Sequence, residues 1–251
     1  MAGIDVIVKK YAQSILLPGF VMAFVLYKSR SQLLTMYKVT YAWMLNRIGV
    51  SYNKKMGKRK QKLFAQMHDA AAELAPAGLR ILEIGAGSGT NFKFYPEGSR
   101  ITCVDPNPYF EGYLMKHVSQ FPHVVLDRFV ISGAEDMSTV PTGSIDAAVC
   151  TLVLCTVQDV SKVLNEVRRV LKEGGKFYYL EHVAAPNGTW TCKIQEWLNP
   201  IWKIVGDNCH LTRKTGQLVE MTGFSAVENE YFIAKLRFPL INYHLAGIAT
   251  K

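Results

Sequence analysis

Leu82-Glu83-Ile84-Gly85-Ala86-Gly87-Ser88-Gly89-Thr90 decides how this chain folds. The apolar run Leu79–Ile84 reads as a buried strand, and it ends in glycines at alternate positions. Glycines there let the backbone turn tightly and come close to a ligand. The spacing Gly-x-Gly-x-Gly differs from the Gly-x-Gly-x-x-Gly of a dinucleotide fold, in which a pyrophosphate rests on a helix N-terminus, and so disfavours a nicotinamide dehydrogenase. Twenty residues past Gly85, a second apolar run, Arg100–Val104, ends in Asp105. A carboxylate at that place can accept both hydroxyls of a ribose through charge-assisted bonds. It can also cap a helix starting near Asn107.

The same alternation continues along the chain. Val124–Ile131, Ile145–Thr151 and Gly175–Val183 read as further strands, and Phe224–Ala234 and Leu236–Leu245 as closing strands. Gln158–Leu171 has helical spacing at Val160, Val163, Leu164, Val167 and Val170, and Trp190–Gly206 and Thr212–Met221 look helical. The expected fold is α/β: a mostly parallel seven-stranded sheet flanked by helices. Ligands of such sheets bind at the carboxyl ends of the strands, so the residues that follow the strands matter most. These are Ser132-Gly133-Ala134-Glu135-Asp136, the run Cys150–Cys155, and Glu181-His182.

Of 251 residues, 49% are hydrophobic and 20% charged, the balance of a folded protein rather than a disordered one. The net charge of +9 is unevenly placed: residues 1–62 hold twelve Lys/Arg against one acid, Asp5, and residues 63–251 carry a net −2. A nucleic-acid enzyme would carry positive charge on the domain that holds its chemistry, so no nucleic-acid partner is expected. The five cysteines, Cys103, Cys150, Cys155, Cys192 and Cys209, are widely spaced, with no CxxC pair and no Cys/His spacing of a metal site. Neither a disulfide framework nor a bound metal is expected, and a reducing setting suits this usage.

The basic N-terminal region also carries an apolar stretch. Residues 11–27 contain no charge, with Lys9 and Lys10 before them and Lys28 and Arg30 after. Seventeen helical residues reach about 26 Å, against about 30 Å for a hydrocarbon core. Pro18-Gly19 would kink such a helix, and positive charge at both ends gives no orientation. A span and a shallow or re-entrant anchor are equal readings. Within residues 31–50, Leu33, Tyr37, Tyr41, Met44, Leu45 and Ile48 follow helical spacing. That suits a helix lying at a membrane interface, or a lid packed on the main domain. The Lys54–Lys62 cluster would then sit over anionic headgroups. No clean small-x-small site follows, which argues against a cleaved signal peptide. The expected divisions are residues 1–52 as membrane anchor and interfacial helices, 53–78 as a basic linker helix, and 79–251 as the main domain.

Glu-Ile-Gly-Ala-Gly-Ser-Gly (83–89), Asp105 and Leu-Lys-Glu-Gly-Gly (171–175) together resemble the class I S-adenosylmethionine-dependent methyltransferases, over about residues 79–245. Several motifs are closer still to the membrane-anchored thiol S-methyltransferases, the methyltransferase-like 7 proteins. These are Gly-Thr-Asn-Phe-Lys-Phe-Tyr-Pro (89–96), Cys-Val-Asp-Pro-Asn-Pro (103–108), Cys-Thr-Leu-Val-Leu-Cys (150–155), Glu-His-Val-Ala (181–184) and Gly-Asp-x-Cys-x-Leu-Thr-Arg (206–213). The resemblance implies a Rossmann-like domain with S-adenosylmethionine as cofactor, held by Gly85, Gly87, Gly89, Asp105, Ala134, Glu135 and Thr151. Ala86, Pro106, Asn107, Gly133 and Leu152 stand beside them. Glu83, inside the end of its strand, would order the loop or meet the cofactor's ammonium. Many relatives carry Asp where Gly133 stands here, so Glu135 or Asp136 would take that role. The resemblance also implies a small-molecule thiol acceptor, lipid contacts through residues 1–62, and a place on the endoplasmic reticulum membrane or lipid droplets with the catalytic domain in the cytosol.

Methyl transfer needs water excluded, a nucleophile aligned and a proton removed. His182, next to Glu181, is the candidate base, with His210 behind it; Asp105 joins His182 as a candidate catalytic residue. Glu181, His182, Trp197, Trp202 and His210 are the expected lining of the acceptor pocket. Cys150 and Cys155 read as small buried residues rather than methyl relays. Two rivals stand beside thiol methylation: methylation of oxygen or carbon on a quinone-like or other lipid acceptor, and a cofactor-binding scaffold without turnover.

Overall fold

One long helix, α1 (Ala2–Leu63), opens the chain and is followed by α2 (Ala65–Leu74). The computed structural model describes residues 2–74 and 78–251, with side chains at 16, 18–72 and 78–251. The side chains of Lys9 and Lys10, expected to flank the apolar run, lie outside the described residues, as do residues 75–77 of the expected linker. The chain falls into two units, 1–44 and 45–251.

In the first unit α1 runs through Pro18 without interruption. Leu16, Phe20, Val21, Phe24, Leu26 and Tyr27 are all exposed, so apolar side chains point out on every side of the helix. Among the described residues, no helix is long and apolar enough to cross a membrane.

The second unit begins inside α1 and contains β1 (Arg80–Ile84), β2 (Ser99–Val104), α3 (Glu111–Val118), β3 (Val124–Val130), β4 (Ile145–Thr151) and α4 (Val160–Val170). They are followed by β5 (Leu171–His182), α5 (Trp190–Val205), α6 (Thr215–Met221), β6 (Ala226–Ile233) and β7 (Tyr243–Thr250). The sheet order is β3-β2-β1-β4-β5-β7-β6, parallel except for β7, which pairs antiparallel with both neighbours. Central strands covered on both faces are mostly apolar, and β1 and β4 are so apart from Arg80 and Glu83 in β1 and Asp146 and Thr151 in β4. One core packs Leu82, Ile84 and Phe177 under the apolar stripe of α4. The other packs Ile81, Val149 and Tyr178 with Met56 of α1, Phe64 in the turn after it and Met67 of α2. Strand order reverses between β1 and β4, so the loops after these two strands diverge and leave a crevice at their carboxyl ends.

Three expectations change here. The strand expected at Leu236–Leu245 is a loop with a 3₁₀ turn at Pro239–Ile241, and the strand runs instead from Tyr243 to Thr250. Pro239 has no N–H to give to a ladder, whereas Ala246-Gly247-Ile248-Ala249 is small and apolar enough to lie under Tyr179. β5 starts at Leu171, ahead of the expected Gly175, with a register shift that accommodates Lys172-Glu173-Gly174. Residues 53–74 do not stand apart as a linker: Met56, Lys60, Leu63, Phe64 and Met67 are buried in the second unit. The Lys54–Lys62 cluster has protein partners as well. Arg59 and Lys62 pair with Glu230 at 2.7 and 3.2 Å, and Arg59 lies over the Phe232 ring.

Candidate active site

The glycine loop leaves β1 at the crevice. Gly85 N–H bonds the carbonyl of Val104 at 2.8 Å, tying the loop to β2. Its φ is +61°, and a Cβ there would meet Val153 at 2.2 Å, so this position admits only glycine. Ala86 is buried, and Gly89 closes the turn by bonding its oxygen at 2.9 Å. Gly87 differs from Gly85: its φ is +51°, yet nothing lies nearer than 3.8 Å to where a Cβ would stand. A methyl group there would touch only the edge of the Phe110 ring, in ordinary contact. The Gly87 N–H points to Asp105 Oδ2 at 3.0 Å, and Asp105 Oδ1 accepts from the Asn107 N–H at 2.9 Å. Each oxygen keeps a further lone pair for a hydroxyl. Burial pushes the Asp105 carboxyl up to about 6, against the two amides that favour its charged form. The capping role belongs to Asn107, whose side chain accepts from Tyr109 N–H. Pro106 is exposed in the turn.

Glu83 orders the loop. Its oxygens accept from Tyr95 Oη at 2.8 Å and Asn91 Nδ2 at 2.9 Å. Asn91 also meets Thr151 Oγ1 at 3.2 Å, and its own oxygen takes a bond from Lys60 Nζ at 2.6 Å. Lys60 reaches Asn53 Oδ1 too, and Asn53 bonds the carbonyl of Thr90. A buried carboxylate and a buried ammonium are thus bridged by one asparagine. Burial lifts the Glu83 carboxyl to about 7 and lowers the Lys60 ammonium to about 7, each opposed by the other's charge. Asn91 and Tyr95 lie within the motif 89–96, but nothing in sequence spacing points to Lys60 as their partner.

The loop after β3 sits at the same end of the sheet. Ala134 is buried in the core, while Glu135 Oε1 caps the approach to α4 by accepting from Gln158 N–H at 2.8 Å. Its Oε2 leaves only 3.0 Å for a Cβ at Gly133. Asp136 turns back to Ser138 N–H. After β4, Leu152 has φ +57°, a strained conformation for leucine, held by its N–H bond to Leu180 at 2.9 Å.

At the end of β5, Glu181 is fully buried and accepts from the N–H groups of Val153, Leu154 and Cys155 at 2.9, 3.1 and 3.3 Å. Burial raises its carboxyl pKa, and those amides oppose the shift. It anchors the loop after β4. His182 is buried, with Nε2 2.9 Å from Cys209 Sγ. Cys155 joins them, and the ligand atoms of these three residues all lie within 4.8 Å of one another. Asp207 and Asn208, both at positive φ, make the turn that delivers Cys209. Hydrogen bonding from Cys155 and then from His182 draws the Cys209 thiol well below the usual range against burial, while the bond to Cys209 and burial push Cys155 up. Sequence spacing hid this trio because its members come from three separate strand and helix ends. All five cysteines are free and buried. Of the expected pocket residues, Trp197 is 78% exposed and turns away from the buried trio; Trp202, half buried, lies next to Cys209. His210 is half buried and bonds Cys155 through its backbone.

A model of the methyltransferase domain matches residues 82–179. Human thiol S-methyltransferase TMT1A is 42% identical over 85% of this chain and 87% of its own length. Human thiol S-methyltransferase TMT1B is 44% identical over 79% and 81%. The chain belongs to the thiol S-methyltransferase family. Its fold is also that of the trans-methyltransferase CalH, solved in complex with S-adenosylhomocysteine: TM-score 0.53 at 19% identity, covering 76% of this chain and 55% of that one.

As a member of this family, the chain is an S-adenosylmethionine-dependent methyltransferase, and its own residues fit the cofactor. The backbone at Gly87 and the doubly anchored Asp105 carboxylate suit an uncharged sugar edge rather than a pyrophosphate. Gly85, Gly87, Asp105, Asn107 and the Glu135 and Thr151 loops lie around the crevice at the strand switch, where sheets of this kind bind their ligands.

Proposed function

We propose that this methyltransferase acts on the sulfur of small lipophilic thiols. Bound in the crevice, S-adenosylmethionine supplies a sulfonium methyl group that is already activated. The chain must then exclude water, align the acceptor and accept its proton. The carrying observation is that Glu181, the carboxylate at the end of β5, accepts from three backbone amides and so holds the loop after β4. The polar groups beside it are the soft trio Cys155, His182 and Cys209. A thiol with pKa near 8.5 is about 3% thiolate at pH 7, so ionising it is worth only about 2 kcal/mol. Such an acceptor needs alignment more than a strong base; a phenol or carbon acid needs more. The test offers alkanethiols and phenols side by side with methyl-labelled cofactor. Labelled methyl thioether is expected, and label appearing in methyl ethers alone would refute the reading.

We propose further that residues up to Met44 hold the enzyme at a membrane surface, on the endoplasmic reticulum and on lipid droplets, with the catalytic domain in the cytosol. The all-round exposure of Phe20, Val21, Phe24, Leu26 and Tyr27 supports this, as do Lys28, Arg30 and Lys38 along the same helix. On α5, Trp190, Ile194, Trp197, Ile201 and Ile204 form a second exposed apolar stripe at helical spacing. Sedimentation with vesicles is the check on this placement.

A further inference from the structure

Among the described residues, several buried polar atoms around the end of β5 have no hydrogen-bond partner, and three of them, Tyr52 Oη, His182 Nδ1 and His244 Nε2, are neighbours. His182 and His244 stand opposite one another in register across β5 and β7, and the His244 ring stacks on Tyr52 at 6.0 Å. Buried polar groups in folded proteins are almost always paired, so three orphans side by side mark a place that a polar ligand fills. A cavity of about 390 Å³ is bordered by His244 of this group, with Ala184, Arg213, Tyr231 and Phe232, and by Val183, the residue next to His182. That volume suits a small organic molecule.

The other nitrogen of His182 is engaged, because Nε2 meets Cys209 Sγ at 2.9 Å. Cys155 and the Arg213 guanidinium lie near the same sulfur and favour its negative form. With Nε2 as the donor to this sulfur, the tautomer is set and the lone pair stands on Nδ1. The arrangement is that of a base oriented by a third group, with sulfur where a triad has a carboxylate. The titratable and charged groups facing His182 are Glu181 beside it, His244 on β7, Tyr52 on α1, Cys155 after β4, and Cys209 and Arg213 after α5.

We propose that His182 takes the proton of the acceptor thiol at Nδ1, and that Cys209 is the positioning residue that holds the ring for it. This rests on the thiol reading above. The acceptor's S–H bond breaks, its electron pair stays on sulfur, and the proton forms an N–H bond on Nδ1. The sulfur pair then forms the new S–CH₃ bond while the old C–S pair stays with the departing thioether. Nδ1 afterwards returns its proton to solvent.

The experiment compares an activated alkanethiol, chosen for a pKa near 8.5, with 4-nitrothiophenol, which ionises by itself at neutral pH, using the full-length protein. A thiol of that pKa is about 3% ionised at pH 7, so the base is worth up to about 30-fold there. His182→Gln should lose about that factor with the alkanethiol, but less than about threefold with the nitrothiophenol. The alkanethiol deficit should vanish as pH rises to about 10, and S-adenosylhomocysteine affinity should be unchanged. Cys209→Ala should give the same split between acceptors, and Cys209→Ser, which keeps a hydrogen-bond acceptor, should restore most of the rate. Equal losses with both thiols at intact cofactor affinity would overturn the proposal. So would near-stoichiometric zinc in protein purified without chelator, since Cys155, His182 and Cys209 would then be ligands. Wild-type protein that methylates neither thiol would refute the thiol reading itself, and the base with it.

Discussion

Asp105 shows how one residue can carry two roles of opposite sign. Its carboxylate holds the Gly87 and Asn107 amides and faces the place of a ribose. Asp105→Asn should weaken S-adenosylhomocysteine binding about 100-fold, from the loss of charge-assisted hydrogen bonds worth about 1.5 kcal/mol each, as calorimetry can measure. Burial raises its pKa to about 6, so affinity should fall as pH drops through about 6 and the carboxylate takes a proton. Folding stability moves the other way. A raised carboxyl pKa means that the folded chain binds its proton more tightly than the unfolded chain does. Ionising Asp105 therefore costs stability, which the ligand-free protein regains as pH falls from about 6 towards about 4. Thermal unfolding and calorimetry across that window should show opposite trends. The glycines separate in the same way: Gly85→Ala meets Val153 and should cost stability, whereas Gly87→Ala has room and should cost mainly ligand affinity, with about 1–2 kcal/mol of backbone strain. Gly85 and Asp105 were legible in the sequence because strand-end chemistry is local. Cys209 was not, since its partners lie 54 and 27 residues away along the chain and meet it only through the turn at Asp207-Asn208.

At the scale of elements, the informative piece is the last part of α1. The sequence shows a basic cluster at 54–62, and charge runs are ordinarily solvated. Lys60 instead is 1% exposed and bridges Asn53 and Asn91, so this part of the helix clamps the glycine loop. Lys60→Met should leave the buried Asn53 and Asn91 side-chain oxygens without their donor and lower stability by about 1–3 kcal/mol, read from denaturant unfolding at pH 6, where the ammonium is charged. The elements carried by periodicity are where the sequence placed them: α4 buries Val160, Val163, Leu164, Val167 and Val170, and β1, β2 and β4 end at the expected residues. β7 is displaced because its register depends on a contact the sequence does not display. Gly247 lies under the Tyr179 ring, and a Cβ there would meet it at 2.3 Å. Gly247→Ala should cost about 1–3 kcal/mol through overpacking, visible as a lower melting temperature.

For the whole molecule, the division after Met44 sets where the chain can be cut. Removing residues 1–44 should leave a folded protein that binds S-adenosylhomocysteine but no longer sediments with anionic vesicles. Removing residues 1–62 would also take away Asn53, Met56 and Lys60, and should destroy the fold rather than merely release it from lipid. Charge asymmetry made the extension legible as a separate region, but the boundary lies eight residues before the expected one, because helix α1 passes from one unit into the other without a break. The central claim is that the loop at Gly87 and the carboxylate of Asp105 together hold a sulfonium nucleoside. Titrating the full-length protein with S-adenosylhomocysteine tests this most directly. One-to-one binding that is lost in Asp105→Ala is the predicted result; no binding by the folded wild-type protein would contradict the account.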